Sequence, residues 1–79
     1  MSEAEIYQTL TSIFRDVFLR DDLVLTPQLS ANDVPDWDSF KQIEIIIAVE
    51  EHYRIKFRTR ELDTLKNVGD LVRLIADRT

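Results

Sequence analysis

Cysteine is absent from this 79-residue chain, which also contains only one glycine and two prolines. Without cysteine there is no disulfide and no thiolate metal site, so packing alone must stabilise a chain close to the size at which one hydrophobic core suffices. An all-β domain needs turn residues about every 8 to 12 positions, and three glycines and prolines are too few for that plan. These absences favour a helical fold.

Positive charge is in the minority, with ten Lys and Arg against fifteen Asp and Glu, a formal net charge of -5 and a pI near 4.7. Nucleic-acid binding needs a surplus of basic residues, so we expect no nucleic-acid partner and favour basic partner surfaces. No segment approaches the roughly 18 apolar residues of a membrane-spanning helix, and the first ten residues are acidic. We therefore expect a cytoplasmic protein without stable membrane insertion.

The first half of the chain shows one helical pattern followed by a long connection. Ser2 with Glu5 three residues later is typical of a capping box, and apolar residues at helical spacing predict helix I from about residue 3 to about 20. Residues 21 to 37 contain both prolines and no sustained periodicity. Four apolar residues are expected to pin this loop to the core: Leu23, Leu25, Leu29 and Val34.

The second half predicts three more helices. Because Pro35 limits how early a helix can begin, helix II is expected from residue 38 or 39 to about 54, although its isoleucine-rich run also resembles a strand. Thr59 is expected to cap a single turn that ends at Leu62, and Asn67 to cap the last helix. The apolar spacing of helix II runs through Phe40, Ile43, Ile46, Ile47 and Tyr53.

These elements predict one domain over residues 1–79 with an all-α fold. We expect a four-helix up-down bundle with a long helix I to helix II loop and a short third helix, in which each helix buries one apolar stripe. The core is expected to contain the following residues: Phe14, Phe18, Ile45, Ile46, Val49, Tyr53, Leu71 and Ile75.

The tetrapeptide WDSF, residues 37 to 40, places a conspicuous serine at the start of helix II. A nucleophilic serine needs a base within about 3 Å. The only histidine, His52, lies thirteen residues further along the same predicted helix, about 20 Å away at 1.5 Å per residue. No glycine flanks Ser39, and the chain has no phosphate loop, zinc spacing or calcium loop. The sequence therefore predicts neither an enzyme nor a metal site.

Two roles for Ser39 are compatible with its position. Ser39 could itself be the helix N-cap, with Gln42 completing a capping box. Asp38 is an equally good cap, and in that arrangement Ser39 becomes the first helical residue with its hydroxyl exposed. A group attached to that hydroxyl would lie at the positive end of the helix dipole, which favours a phosphate diester.

Two segments carry a resemblance to the acyl carrier proteins. DSFKQIEIIIAVEEHYRIKF, residues 38 to 57, resembles the prosthetic-group site of that family and the acidic helix that follows it. LDTLKNVGDLVRLI, residues 62 to 75, is similar to the closing region of the family. The resemblance implies a discrete, non-enzymatic carrier in which Ser39, next to Asp38, bears a covalent 4'-phosphopantetheine derived from coenzyme A.

The resemblance also implies partners and a pathway class. A phosphopantetheinyl transferase would modify the chain, and an acyl-loading ligase or synthase and acyltransferases with basic docking patches would use it. The cargo would be an acyl thioester in fatty acid, lipid or cell-envelope biosynthesis, and the protein would be a monomer. The partner-binding residues implied are Asp38, Phe40, Ile43, Glu44, Glu50 and Glu51.

Some residues depart from the family pattern and indicate a specialised member. Trp37 and Phe40 replace a glycine and a leucine, Lys41 stands where an acid is common, and residues 54 to 60 carry four basic side chains.

An aminoacyl or peptidyl carrier, for example one for D-alanine, is an alternative because Asp-Ser-Phe also occurs in such carriers. An unmodified helical adaptor is the alternative from another class. Whether the core opens to hold the acyl chain is left open, because three large aromatic residues could fill that space.

Overall fold

The computed structural model describes residues 2–34 and 36–79, and this part of the chain contains four α-helices and no strand. The helices are α1 (Glu3–Phe18), α2 (Ser39–Tyr53), α3 (Thr59–Leu62) and α4 (Val68–Arg78). Helix α1 packs against both α2 and α4, while α3 is a single turn. The predicted all-α fold with a long first loop and a short third helix is confirmed.

Helix α1 begins where the sequence predicts and ends earlier. The Ser2 hydroxyl accepts the N–H of Glu5 at 3.3 Å and donates to the Glu5 carboxylate, so Ser2 is the N-cap. At Leu19 the backbone is left-handed, with φ 55°, and the N–H of Arg20 turns back to the carbonyl of Arg15. The helix therefore stops at Phe18 rather than near residue 20, because a left-handed residue ends helical hydrogen bonding.

The connection from α1 to α2 is pinned to the core as predicted. Val34 is buried, and Leu23, Leu25 and Leu29 are half-buried against the core. Pro35, which was predicted to limit how early helix II begins, lies outside the described residues.

The same loop holds the start of α4. The carbonyl of Leu29 accepts the N–H of Val68 at 2.9 Å, and the carbonyl of Pro27 accepts the N–H of Gly69 at 3.0 Å. Asn67 caps the helix, since its side-chain oxygen accepts the N–H of Asp70 at 2.9 Å. The predicted role of Asn67 is confirmed. A Cβ atom at Gly69 would lie 3.0 Å from the carbonyl oxygen of Pro27, so a residue without a side chain allows this close approach.

Helix α3 begins differently from the prediction. Arg58 is the N-cap residue and Thr59 is the first helical residue, so the expected capping role of Thr59 is wrong. The Glu61 carboxylate stabilises the helix start instead, because it accepts the N–H of Arg58 at 2.8 Å. The same carboxylate pairs with Arg78 at the end of α4. The backbone N–H of Arg58, and after it the guanidinium of Arg78, lower the pKa of Glu61.

The buried face of α2 is formed by Ile45, Ile46 and Val49, as the expected core predicts. Three other apolar residues of the helix point to solvent: Phe40, Ile43 and Ile47, which are 77%, 55% and 49% exposed. The apolar spacing that begins at Phe40 therefore does not mark the buried stripe. The described core consists of Ile6, Leu10, Phe14, Phe18, Val34, Ile45, Ile46, Val49, Val68, Leu71, Val72 and Ile75.

Candidate functional site

The start of α2 is capped by Asp38. Its backbone is extended, with φ -113° and ψ -171°, and its carboxylate accepts the N–H of Lys41 at 2.9 Å. The carbonyl of Asp38 accepts the N–H of Gln42, also at 2.9 Å, which is the first helical hydrogen bond. Of the two roles that the sequence leaves open, the structure selects the one in which Asp38 caps and Ser39 follows it as the first helical residue.

Ser39 is consequently left free at the surface. The residue is exposed, and its hydroxyl has no hydrogen-bond partner among residues 2–34 and 36–79. In the same described residues, the backbone N–H groups of Ser39 and Phe40 also lack an acceptor. Unpaired N–H groups at a helix N-terminus form an electropositive environment that suits a phosphate oxygen. An accessible hydroxyl beside such groups fits a phosphodiester-linked prosthetic group.

Gln42 has a different role from the one that a capping box would give it. Its side-chain oxygen accepts the indole N–H of Trp37 at 2.8 Å. The Trp37 ring stands edge-on to Phe14, with ring centroids 5.3 Å apart, and to Phe18 at 6.1 Å. This contact was not predicted from the sequence; the only signal was the tryptophan itself, whose indole N–H needs an acceptor when it is buried.

A largely apolar cleft of about 580 Å³ opens beside Ser39. It lies between the start of α2 and the segment from α3 to the first turns of α4. The side chains that shape it include Trp37, Ile43, Leu62, Leu65 and Leu71, while Ser39 and Asp38 stand at its polar edge. The cleft gives an extended group attached to Ser39 an apolar surface to lie on.

Neither a general base nor a metal cluster accompanies the serine. His52 lies in the last turn of α2, with its ring edge-on to Tyr53, thirteen residues from Ser39 and therefore about 20 Å along the helix. No group of three or more His, Cys, Asp or Glu side chains in the described part of the chain is arranged to hold a metal ion. Within residues 2–34 and 36–79, therefore, neither a histidine nor a metal cluster is placed to activate the Ser39 hydroxyl.

The exposed face of α2 combines apolar and acidic side chains. Phe40 and Ile43 are exposed next to Ser39, and Glu44 and Glu51 are exposed further along the helix. Glu50 is partly withdrawn from this face, because its carboxylate accepts the backbone N–H of Phe57 at 2.8 Å.

Lys41 interrupts the acidic face and joins two helices. Its ammonium group donates to the carbonyl of Val17 at 3.2 Å, near the end of α1, and lies 3.8 Å from the carboxylate of Glu44. A cation near the C-terminus of a helix is favourable because the last carbonyls carry partial negative charge. The Lys41 ammonium group is therefore held by contacts within the protein and does not project freely from the acidic face.

Within residues 2–34 and 36–79, no helix combines the length and the apolar character that crossing a membrane requires.

Comparison with known proteins identifies the family of the chain. No family model matches the chain. The acyl carrier protein of Acidothermus cellulolyticus is 33% identical over 79 residues, which cover 100% of this chain and 94% of that protein. The meromycolate extension acyl carrier protein of Mycolicibacterium aurum is 34% identical over 74 residues, covering 94% of this chain and 76% of that protein. The solution structure of a holo acyl carrier protein from Geobacter metallireducens superimposes with a TM-score of 0.85 at 49% identity, covering 90% of this chain and 82% of that one.

The helical fold and the relatives agree on one class of protein, the carriers, in which chemistry occurs on an attached group and not on the protein's own side chains. The chain belongs to the acyl carrier proteins. It is accordingly a carrier and not an enzyme, its cofactor is a covalently attached 4'-phosphopantetheine, and it works with biosynthetic enzymes.

Proposed function

We propose that Ser39 carries the 4'-phosphopantetheine and that the chain delivers acyl thioesters to enzymes of fatty acid, lipid or cell-envelope biosynthesis. The single observation that supports this attachment site is the exposed Ser39 hydroxyl, which has no partner among the described residues because Asp38 caps the helix. The arm, when attached, supplies a terminal thiol that holds an acyl group as a thioester.

The modification needs a separate enzyme. The Ser39 oxygen forms a bond to the β-phosphorus of coenzyme A, the bond to the 3',5'-ADP portion breaks, and the serine proton leaves to a base. We propose that the base belongs to the transferase, since His52 is about 20 Å away along α2 and Asp38 serves as the helix cap through its bond to the N–H of Lys41. The open N–H groups of Ser39 and Phe40 then face the phosphodiester oxygens.

The exposed face of α2 is the surface that we propose for partner enzymes. Asp38, Phe40 and Ile43 flank Ser39, so a partner bound over them also reaches the arm. Glu44 and Glu51 extend the face with negative charge that attracts basic docking patches. Such charge raises the encounter rate without requiring tight binding, which suits a carrier that must leave each enzyme again.

Glu50 was predicted to belong to this surface, but in the structure its side chain is hydrogen-bonded within the protein. Its carboxylate holds the N–H of Phe57, so only part of the side chain is available to a partner. We propose that Glu50 supports the surface by fixing the segment after α2, and that Glu44 and Glu51 supply most of its attraction.

We propose that residues 1–79 act as a single carrier domain and as a monomer. Sedimentation equilibrium of the holo protein should give the mass of one 9.3 kDa chain plus its arm. A mass of two chains at working concentration contradicts the monomer.

The attachment site is tested by intact mass after coexpression with a broad-specificity phosphopantetheinyl transferase. The wild-type protein should gain one phosphopantetheinyl group, and Ser39→Ala should gain none while remaining folded by circular dichroism. Ser12→Ala is the matched control, because Ser12 is also an exposed helical serine, and it should be modified as the wild type is. An unchanged wild-type mass with a demonstrably active transferase contradicts the proposal.

The docking surface is tested by charge reversal. Glu44→Lys and Glu51→Lys should slow modification or acyl transfer at low ionic strength, and the difference should shrink as salt is added. Asp16→Lys, an equal charge change at an exposed position of α1, is the control.

If charge reversal abolishes a cellular function that Ser39→Ala leaves intact, the unmodified-adaptor alternative is correct. If protein isolated from its own host bears an amino acid on the arm, the aminoacyl alternative is correct.

A further inference from the structure

Trp37 stands between the cleft beside Ser39 and the hydrophobic core. On one side the residue lines the cleft together with Ser39. On the other side its ring packs edge-on against Phe14 and Phe18 of α1, which are 0% and 7% exposed. The indole therefore lies between the cleft and the α1 side of the core.

Two hydrogen bonds and two ring contacts hold Trp37 in this position. Its indole N–H donates to the Gln42 side chain at 2.8 Å, in the first turns of α2, and its backbone N–H donates to the carbonyl of Val34 at 3.0 Å. The edge-on arrangement with Phe14 and Phe18 is the geometry that aromatic pairs prefer. Moving the indole aside breaks the bond to Gln42 and exposes two phenylalanine rings, so the closed arrangement is the stable one.

The floor of the cleft is also closed. Leu71 lines the cleft and is only 3% exposed, and the core residues Val49, Val72 and Ile75 are almost completely buried. Interiors of proteins are packed to nearly crystalline density, so a closed core offers no space to a chain of several methylenes.

We propose that Trp37 closes the core of this carrier to its cargo, so that the acyl chain stays in the cleft beside Ser39 and the protein is suited to short acyl groups. The proposal rests on the attachment of the arm to Ser39. A chain too long for the cleft leaves methylenes in water, and burial of each methylene is worth about fourfold in an equilibrium constant. A carrier with a closed core therefore gives long apolar chains no protection beyond that of the cleft.

The test loads the protein with acyl-phosphopantetheine arms of two, four and eight carbons, from the corresponding acyl coenzyme A thioesters, and confirms each loading by intact mass. Two properties are measured: the methyl NMR shifts of the core residues Ile45, Val49 and Val72, and the rate at which hydroxylamine cleaves the thioester. In the wild-type protein we expect the core shifts to be independent of chain length. The cleavage rate of the eight-carbon thioester in the wild type should reflect burial in the cleft alone, and it is the reference against which an opened core is compared.

Trp37→Ala should open the core. A dry apolar cavity of about 150 Å³ accepts a molecule the size of benzene, so the space left by an indole takes several methylenes. The eight-carbon chain should then shift the core methyls and be cleaved at least tenfold more slowly than in the wild type, because two buried methylenes already exceed that factor. The two-carbon chain should behave alike in both proteins.

Two control variants separate closure from a general loosening. Trp37→Phe keeps an aromatic ring against Phe14 and Phe18 and should behave like the wild type. Leu65→Ala widens the cleft while leaving Trp37 against Phe14 and Phe18, and it should leave the core methyls unaffected by chain length. If Trp37→Ala does not fold, Trp37→Leu serves in its place.

The wild-type protein alone can overturn the proposal. Core methyl shifts that move with the eight-carbon chain, together with slower cleavage, show that the core admits the cargo, and closure by Trp37 is then wrong even though the arm is on Ser39. A protein that gains no mass at Ser39 refutes the attachment site instead, and the closure proposal with it. The two failures are therefore distinguishable at the loading step.

Discussion

The helices α2 and α4 begin with the same kind of side-chain N-cap, but the first residue of α2 is exposed and that of α4 is buried. In both, a short polar side chain accepts the N–H of the residue three positions later at 2.9 Å. The N–H of Lys41 donates to Asp38, and the N–H of Asp70 donates to Asn67. The residue after the cap is completely buried in α4, where it is Val68, and exposed in α2, where it is Ser39.

The difference arises from what packs against the first turn. In α4 the loop carbonyls of Leu29 and Pro27 accept the first two N–H groups, so the helix start is part of the core. In α2 the corresponding N–H groups have no acceptor among the described residues, and the first side chains face solvent. A capping residue determines where a helix starts, and the surrounding chain determines whether that start stabilises the fold or remains available for chemistry.

The largest expected effect comes from exchanging the residues after the two caps. Val68→Ser removes buried methyl groups and places a hydroxyl in the core, so we expect a loss of about 2 to 3 kcal/mol in the free energy of unfolding. Ser39→Val should change it by less than about 0.5 kcal/mol, since the side chain is exposed. Urea unfolding of both variants measures the difference. Equal losses would show that the two helix starts are packed alike.

Removal of the caps should have an intermediate effect. Asp38→Ala and Asn67→Ala are each expected to cost about 1 kcal/mol in urea unfolding. Only Asp38→Ala should also slow modification, because Ser39 then becomes the available capping residue, with Gln42 three positions later, and its hydroxyl is drawn to the backbone. Asp38→Asn, which keeps a capping oxygen, is the control and should be modified at a rate closer to that of the wild type. Equal modification rates for Asp38→Ala and Asn67→Ala contradict this mechanism.

The smallest effect concerns the other end of α4, where Arg78 pairs with Glu61. The N–H of Arg58, and then Arg78, hold the pKa of Glu61 below its ordinary value of 4.5. A lowered pKa in the folded state means that the carboxylate stabilises the fold above about pH 4.5 and that this contribution is lost as the pH falls through the folded pKa.

Thermal unfolding from pH 7 to pH 3 checks this expectation. The midpoint of Glu61→Gln should lie below that of the wild type at neutral pH and approach it below about pH 4.5. Arg78→Gln should retain part of the pH dependence, because the backbone N–H of Arg58 still contacts Glu61. A difference between wild type and Glu61→Gln that is constant with pH argues against the lowered pKa.

Local patterns in the sequence were sufficient for the starts of α1 and α4. Asn67 and Ser2 are followed by apolar residues at helical spacing, and both cap as predicted. For α2 the sequence allowed either Asp38 or Ser39 as the cap, since both side chains suit that position. The choice became clear only from the backbone geometry, in which Asp38 is extended and Ser39 is helical.

The exposed face of α2 and the position of Trp37 required tertiary information. Isoleucines at four of the five positions from 43 to 47 surround much of the helix, so periodicity alone does not define one buried face. Packing of α1 selects Ile45 and Ile46 for burial and leaves Ile43 exposed. The bond from Trp37 to Gln42 depends on how the preceding loop returns to the helix, which no local pattern encodes.

Trp37 is the only tryptophan of the chain. Its indole touches Phe14 in the core, hydrogen-bonds to α2 and borders the cleft beside Ser39. Selective excitation of tryptophan thus reports from the boundary between the cleft and the interior, and we expect loading at Ser39 to change the emission spectrum of the unlabelled protein.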